Sequence, residues 1–144
     1  MQPLPHLYRV SARAAAQGEV TLESPGLEAL ASAGPREFDG PGDRWSPETL
    51  LVAAVADCYV LSLRAVAAAS QLPWTGIRCE AEGVLERVER TTRFTAISLR
   101  VELVVPVEAD LAKTDRVLEK AKSACLISNS LACPVHLEKS VRPA

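Results

Sequence analysis

The sequence predicts an α+β fold, and three observations carry that prediction. Residues 46–70 form one run that is apolar at nearly every position and far too long for a strand. Residues 77–90 and 93–106 instead alternate apolar and polar with a period of two, the pattern of strands with one face on a core. These elements come in blocks, without the strict βαβ alternation that would build a parallel α/β sheet.

Taken in order, residues 6–30 alternate loosely and are punctuated by Gly18 and by Ser24-Pro25-Gly26. They read as two or three short antiparallel strands, so that residues 1–30 form an N-terminal strand region. Residues 31–45 are rich in Gly, Pro and charge and form a long loop, a length that usually marks function or disorder. Ser46 then caps a helix: it offers a side-chain oxygen to free amides, Pro47 presets φ at the first helical position, and Glu48 sets an anion at the positive end of the dipole. Gln71-Leu72-Pro73-Trp74 stops that helix near Ser70. Residues 75–144 continue as strand, strand, helix, strand. The two alternating segments join near Thr91-Thr92. Leu111, Val117, Leu118, Ala121 and Cys125 keep helical spacing from about Asp110 to Ser123 or Leu131, with a break near Cys125, and residues 134–142 close as a strand.

A chain of 144 residues is expected to form one domain with a core of its own. The net charge of −2, from 16 basic and 18 acidic residues, offers no basic stripe for nucleic acid or anionic membrane. Helix 46–70 is apolar enough to suggest a membrane span, but Asp57 and Arg64 interrupt it at a cost of several kcal/mol each in hydrocarbon. The opening residues lack the cationic and apolar pattern of a secretory leader, so a cytoplasmic location is expected.

The chemistry-bearing residues are the thiols Cys58, Cys79, Cys125 and Cys133. No C-x-x-C pair occurs and His6 lies far from His136, so a zinc site is not expected; no nucleotide-binding glycine loop is present either. No metal, haem or flavin cofactor is therefore expected. Free cysteine usually packs as a small hydrophobe, and Cys79 and Cys133 read that way. Cys58 differs in its company. It follows Glu48 by just under three helical turns, so the two point within about 80° of one another. The loop before the helix carries Arg36 and Arg44. An arginine beside Cys58 would favour the nucleophilic thiolate, and a carboxylate beside that arginine would fix its fork by bidentate pairing. Thiolate, guanidinium and carboxylate together suit peroxide reduction, and a second thiol, Cys125, could close a disulfide on the resulting sulfenic acid. Trp45, Trp74 and Phe38 could line an apolar entrance or pack in a core or interface.

Two stretches carry a resemblance: Ser46-Pro-Glu-Thr-Leu-Leu-Val-Ala-Ala-Val-Ala-Asp-Cys58-Tyr, and Ala121-Lys-Ser-Ala-Cys125-Leu-Ile-Ser-Asn-Ser-Leu. With the arginine-bearing loop before the first, the chain resembles the OsmC/Ohr family of osmotically inducible and organic hydroperoxide resistance proteins. The resemblance implies an intertwined homodimer with antiparallel sheets, a long buried central helix and two sites at the subunit interface. It implies a thiol peroxidase acting on organic hydroperoxides and recharged by a dithiol reductant of lipoyl type. Cys58 matches the peroxidatic cysteine, Cys125 the resolving one and Glu48 the orienting carboxylate. Arg36 matches the catalytic arginine better than its rival Arg44. Asp57 stands where a small apolar residue is more usual, and Leu-Ile-Ser follows Cys125 where some members have Pro-Val-Ser. The competing reading is a non-catalytic dimeric module of the same fold that binds a small apolar ligand at the subunit interface.

Overall fold

The computed structural model describes residues 1–144, which divide into two compact units, Met1–Leu50 and Leu51–Ala144. The first holds an antiparallel three-stranded sheet of β1 (Ser11–Arg13), β2 (Val20–Glu23) and β3 (Leu30–Ser32), in that order. A salt bridge at 3.0 Å between Arg13 and Glu23 spans β1 and β2. Only Ser32 and Ser46 are buried in this unit; Leu4, Leu7, Tyr8 and Val10 are exposed, and Val20, Leu22 and Leu50 are half-buried. The predicted loop contains a single 3-10 turn, Arg36–Phe38, and is tied by a bridge from Ser32 to Trp45.

Helix α1 (Pro47–Ala69) starts where the sequence places it. Ser46 Oγ accepts from the Thr49 amide at 3.1 Å, and the Ser46 amide donates to Thr49 Oγ1 at 2.8 Å. This is a reciprocal cap in which Thr49 fills the position usually held by Glu or Gln. Val55, Tyr59, Leu63, Val66 and Ala67 are the helix residues that the single chain buries, a stripe at helical spacing. Leu61 on another face is half exposed, and both Asp57 and Arg64 are exposed without an ion pair between them. The helix thus has the length and apolar content of a membrane span, while one stripe of it serves the core.

The second sheet has the order β4 (Gly76–Val88), β5 (Thr91–Val105), β6 (Val135–Pro143). β4 and β5 form the long antiparallel hairpin, turned at Glu89 and Arg90 with φ of 50° and 71°. Two consecutive positive φ values give the mirror-image turn whose twist matches flanking strands. The odd residues Ile97 to Val105 of β5 are all buried, and Ile77, Cys79 and Ala81 of β4 pack beside them. An irregularity after Val84 pairs Leu85 with Phe94 and leaves Thr95 without a partner. The extra residue shifts Phe94 onto the inner face, where a Cβ on Gly83 would lie 2.8 Å from its ring and 2.8 Å from Val52. Glycine is what lets α1 and the Phe94 ring meet there.

One strand corrects the expectation of antiparallel sheets: β6 runs parallel to β5. The reason is connective. The chain between them holds α2 (Leu111–Ala124) and α3 (Leu126–Asn129), and a helical crossover returns the strand in the same direction. Asp110 caps α2 by accepting from the Lys113 amide at 3.0 Å, and Thr114, Val117, Leu118 and Ala121 face the core. Lys139 on the inner face of β6 reaches Asp115 at 2.6 Å and Glu119 at 2.7 Å, which pins the helix to the strand. Those two carboxylates raise the Lys139 pKa. Tyr59 donates to the Leu118 carbonyl at 3.0 Å and joins α1 to α2 through the centre of the core. Burial first, then the neighbouring Cys79, Glu119 and Cys125, push its pKa upward. Replacing Tyr59 with Phe should cost about 1 kcal/mol, the usual worth of one buried hydrogen bond. The shift of the urea midpoint at unchanged slope measures it.

Candidate active site

Cys58 and Cys125 are neighbours. Cys58 lies on α1 and is half-buried; Cys125 stands at the junction of α2 and α3 and is fully buried. Cys58 is close enough to act on the ionisation of Cys125, and the Cys125 thiol points at the Val55 carbonyl, at 4.0 Å, less than one turn before Cys58. Cys125 ends α2 and opens α3 in an extended backbone conformation, φ −68° and ψ 101°. That is the break expected near Cys125, and it aims the sulfur at α1. Ser128 Oγ donates to the sulfur at 3.1 Å. Burial raises the Cys125 pKa above the ordinary thiol range, opposed by hydrogen bonds from the Ser128 hydroxyl and amide, while the nearby Cys58 favours the protonated form.

Cys79 lies on the inner face of β4, opposite Val101, within electrostatic range of Cys125 and Tyr59. It packs against the core as expected, and burial pushes its pKa to about 11. Cys133 also packs against the core, and His136 is exposed on β6.

Glu48 lies in the first turn of α1. Its Oε2 is buried and receives no hydrogen bond. A buried carboxylate oxygen without a donor is costly and calls for a cation or N–H. The two candidate arginines differ. Arg44 is committed: it donates to Glu19 at 3.0 Å and lies 3.7 Å from Asp43. Arg36 is exposed and its guanidinium makes no ion pair or hydrogen bond. Its stem crosses Gly42, where a Cβ would lie 2.3 Å from Nε. Gly40 holds the same turn closed, since a Cβ there would meet the Gly34 carbonyl oxygen at 1.8 Å. The first unit also carries a cleft of about 540 Å3 lined by Leu30, Ala31, Trp45, Thr49 and the Arg44 region. Trp45 therefore lines an apolar surface, Phe38 is exposed, and Trp74 packs against the core.

Two residues of this constellation escaped the sequence reading. Thr49 completes the helix cap, and Ser128 contacts the second sulfur. In both cases the signal was a three-residue spacing, Ser46 to Thr49 and Cys125 to Ser128, which is the spacing of a helix cap and its partner.

Comparison with known proteins gives the family and the fold. The family model described as OsmC-like protein matches residues 40–139. YmaD of Bacillus subtilis is 31% identical over 121 residues, covering 82% of this chain and 80% of that one. Peroxiredoxin OsmC of Escherichia coli is 29% identical over 97 residues, 67% of each chain. A solved OsmC-like protein from Vibrio cholerae superimposes with a TM-score of 0.86 at 18% identity, covering 94% of this chain and 100% of that one.

The Cys79 thiol yields a pH prediction. Its pKa rises from 9.0 to about 11 on folding, so the folded state holds that proton longer than the unfolded chain. The associated stability is complete below pH 9 and is lost as pH climbs toward 11. A Cys79→Ala variant should show a shallower loss of stability over that window, read from urea unfolding at successive pH values.

Proposed function

Because the chain belongs to the OsmC-like protein family, we propose that it is a thiol peroxidase that reduces organic hydroperoxides with Cys58 and Cys125. The nearness of a half-open thiol to a sealed one carries this reading. The half-open sulfur can meet a substrate, and the sealed one can only meet the first. The Cys58 thiolate attacks one peroxide oxygen, the O–O bond breaks, and the alkoxide leaves to become an alcohol. Cys58 is then a sulfenic acid. Cys125 attacks its sulfur, water departs, and a disulfide links the two. An external dithiol returns both sulfurs to thiols and is itself oxidised. Keeping Cys125 protonated until that second step suits its role, because an ionised neighbour would oppose the ionisation of Cys58.

Arg36 is the arginine that the charge pattern favours for steadying the thiolate and donating to the peroxide oxygens. It is uncommitted, whereas Arg44 is held by Glu19 and Asp43. Glu48, with a buried oxygen awaiting a donor, orients that guanidinium. The apolar residues of α1 around Cys58 favour an organic peroxide over hydrogen peroxide. A homodimer accounts for two observations at once. The first fifty residues fully bury no apolar side chain, and α1 leaves apolar faces outside its core stripe. A second copy covering both would remove that surface from water. The protein would work in the cytoplasm, where thiols are kept reduced.

Reduced protein should consume cumene hydroperoxide with dithiothreitol as donor, and Cys58→Ser should fall to the uncatalysed background. Arg36→Ala should lose about 100-fold, the scale of a lost charge-stabilising donor, and more than Arg44→Ala. Undiminished turnover in Cys58→Ser would reject the nucleophile, and the reverse order of the arginines would move the catalytic role to Arg44. Sedimentation should give twice the chain mass of 15.4 kDa, and a monomer at that mass would remove the dimer from the account.

A further inference from the structure

The two sulfurs are not equivalent toward a reductant. Cys125 is fully buried, and Cys58 is half open. Only Cys125 carries a hydroxyl donor, Ser128 Oγ at 3.1 Å. The ionisable groups facing Cys125 are Cys58 and Tyr59 on α1 and Cys79 on β4, and none of them is a cation. A thiolate at Cys125 would therefore be stabilised by hydrogen bonds alone. In thiol–disulfide exchange the attacked sulfur must be accessible, and the departing sulfur leaves faster when its thiolate is stabilised. Accessibility selects Cys58 as the sulfur attacked; burial opposes the departure of Cys125 as thiolate, so the Ser128 hydrogen bond is the contact that lets it leave.

We propose that Ser128 is a positioning residue that holds Cys125 as the leaving thiolate, so that a reducing dithiol enters at Cys58. The inference rests on the reading of Cys58 and Cys125 as a reversible redox pair. One thiolate of the dithiol forms a bond to the Cys58 sulfur. The Cys58–Cys125 bond breaks, and its electron pair departs on Cys125, where the Ser128 hydroxyl donates to it until a proton from solvent restores the thiol. The second thiol of the reductant, ionised, then attacks its own partner sulfur and releases Cys58 as thiolate. The protein gains two electrons, and the dithiol becomes a disulfide. The hydroxyl that shields one sulfur in the resting site thus sets the polarity of the recharging step.

The test starts from disulfide made with diamide, which needs no hydroperoxide. Dithiothreitol should reduce the Ser128→Ala disulfide about tenfold more slowly than the wild-type one, the effect of removing one hydrogen bond to a charged sulfur. Ser128→Thr, which keeps the hydroxyl, should recover to within about threefold of wild type. A monothiol, 2-nitro-5-thiobenzoate, quenched early with acid, should be found by mass spectrometry on Cys58. In a Cys58→Ser background, the pH midpoint for iodoacetamide alkylation of Cys125 should move upward when Ser128 becomes Ala. Three results overturn the inference: a mixed disulfide on Cys125, reduction of Ser128→Ala at the wild-type rate, or failure of diamide to link the two cysteines. A chain that passes these tests yet ignores organic hydroperoxides keeps this inference and loses the peroxidase reading. One that consumes hydroperoxides but does not respond to Ser128→Ala does the opposite.

Discussion

The seating of the α2–α3 junction against α1 is the contact on which the rest depends. At that point the chain leaves helical geometry for one residue, and that residue is Cys125. The break turns the sulfur toward the Val55 carbonyl and Cys58. Around it, Tyr59 ties α1 to the Leu118 carbonyl, and Lys139 ties α2 to β6 through Asp115 and Glu119. The buried tyrosine bond fixes how far α2 can slide along α1, and hence which turn of α1 the second thiol addresses. The Lys139 pairs are half open to water and contribute less to stability than to the orientation of the helix.

Electrostatics at the site follow from where burial is spent. Cys125 and Cys79 sit in the apolar layer between the helices and the sheet, and both are held toward the neutral thiol. Cys58 lies toward the edge of that layer. Depth therefore separates the half-open Cys58 from the sealed Cys125, while Cys79, as open as Cys58, is turned to the core face of β4.

Much of this was legible in the sequence because it rests on local rules. The cap at Ser46-Pro47, the stop after Ser70, the odd-numbered inner face of β5 and the helix break at Cys125 all follow from periodicity or from side-chain chemistry within a few residues. What was not legible depends on pairing across the chain. The parallel direction of β6 is decided by the crossover, which no strand of the sheet records in its own residues. Phe94 faces inward because one extra residue, Thr95, breaks the alternation, and Gly83 makes room for it. The proximity of Cys79 to Cys125 depends on register between a strand and a helix end. The difference between Arg36 and Arg44 is likewise tertiary: Glu19, on a remote stretch of sequence, claims one of them.

Cys58 lies in α1 and Cys125 beyond α2, so a covalent bond between them would enclose β4, β5 and α2 in one closed loop. A ring of that size removes conformational freedom from the denatured chain worth about 4 kcal/mol on the chain-entropy account. The spent form would then be the sturdier one. Recharging the sulfurs would loosen the fold, and a cell short of reductant would accumulate the version best fitted to survive the wait.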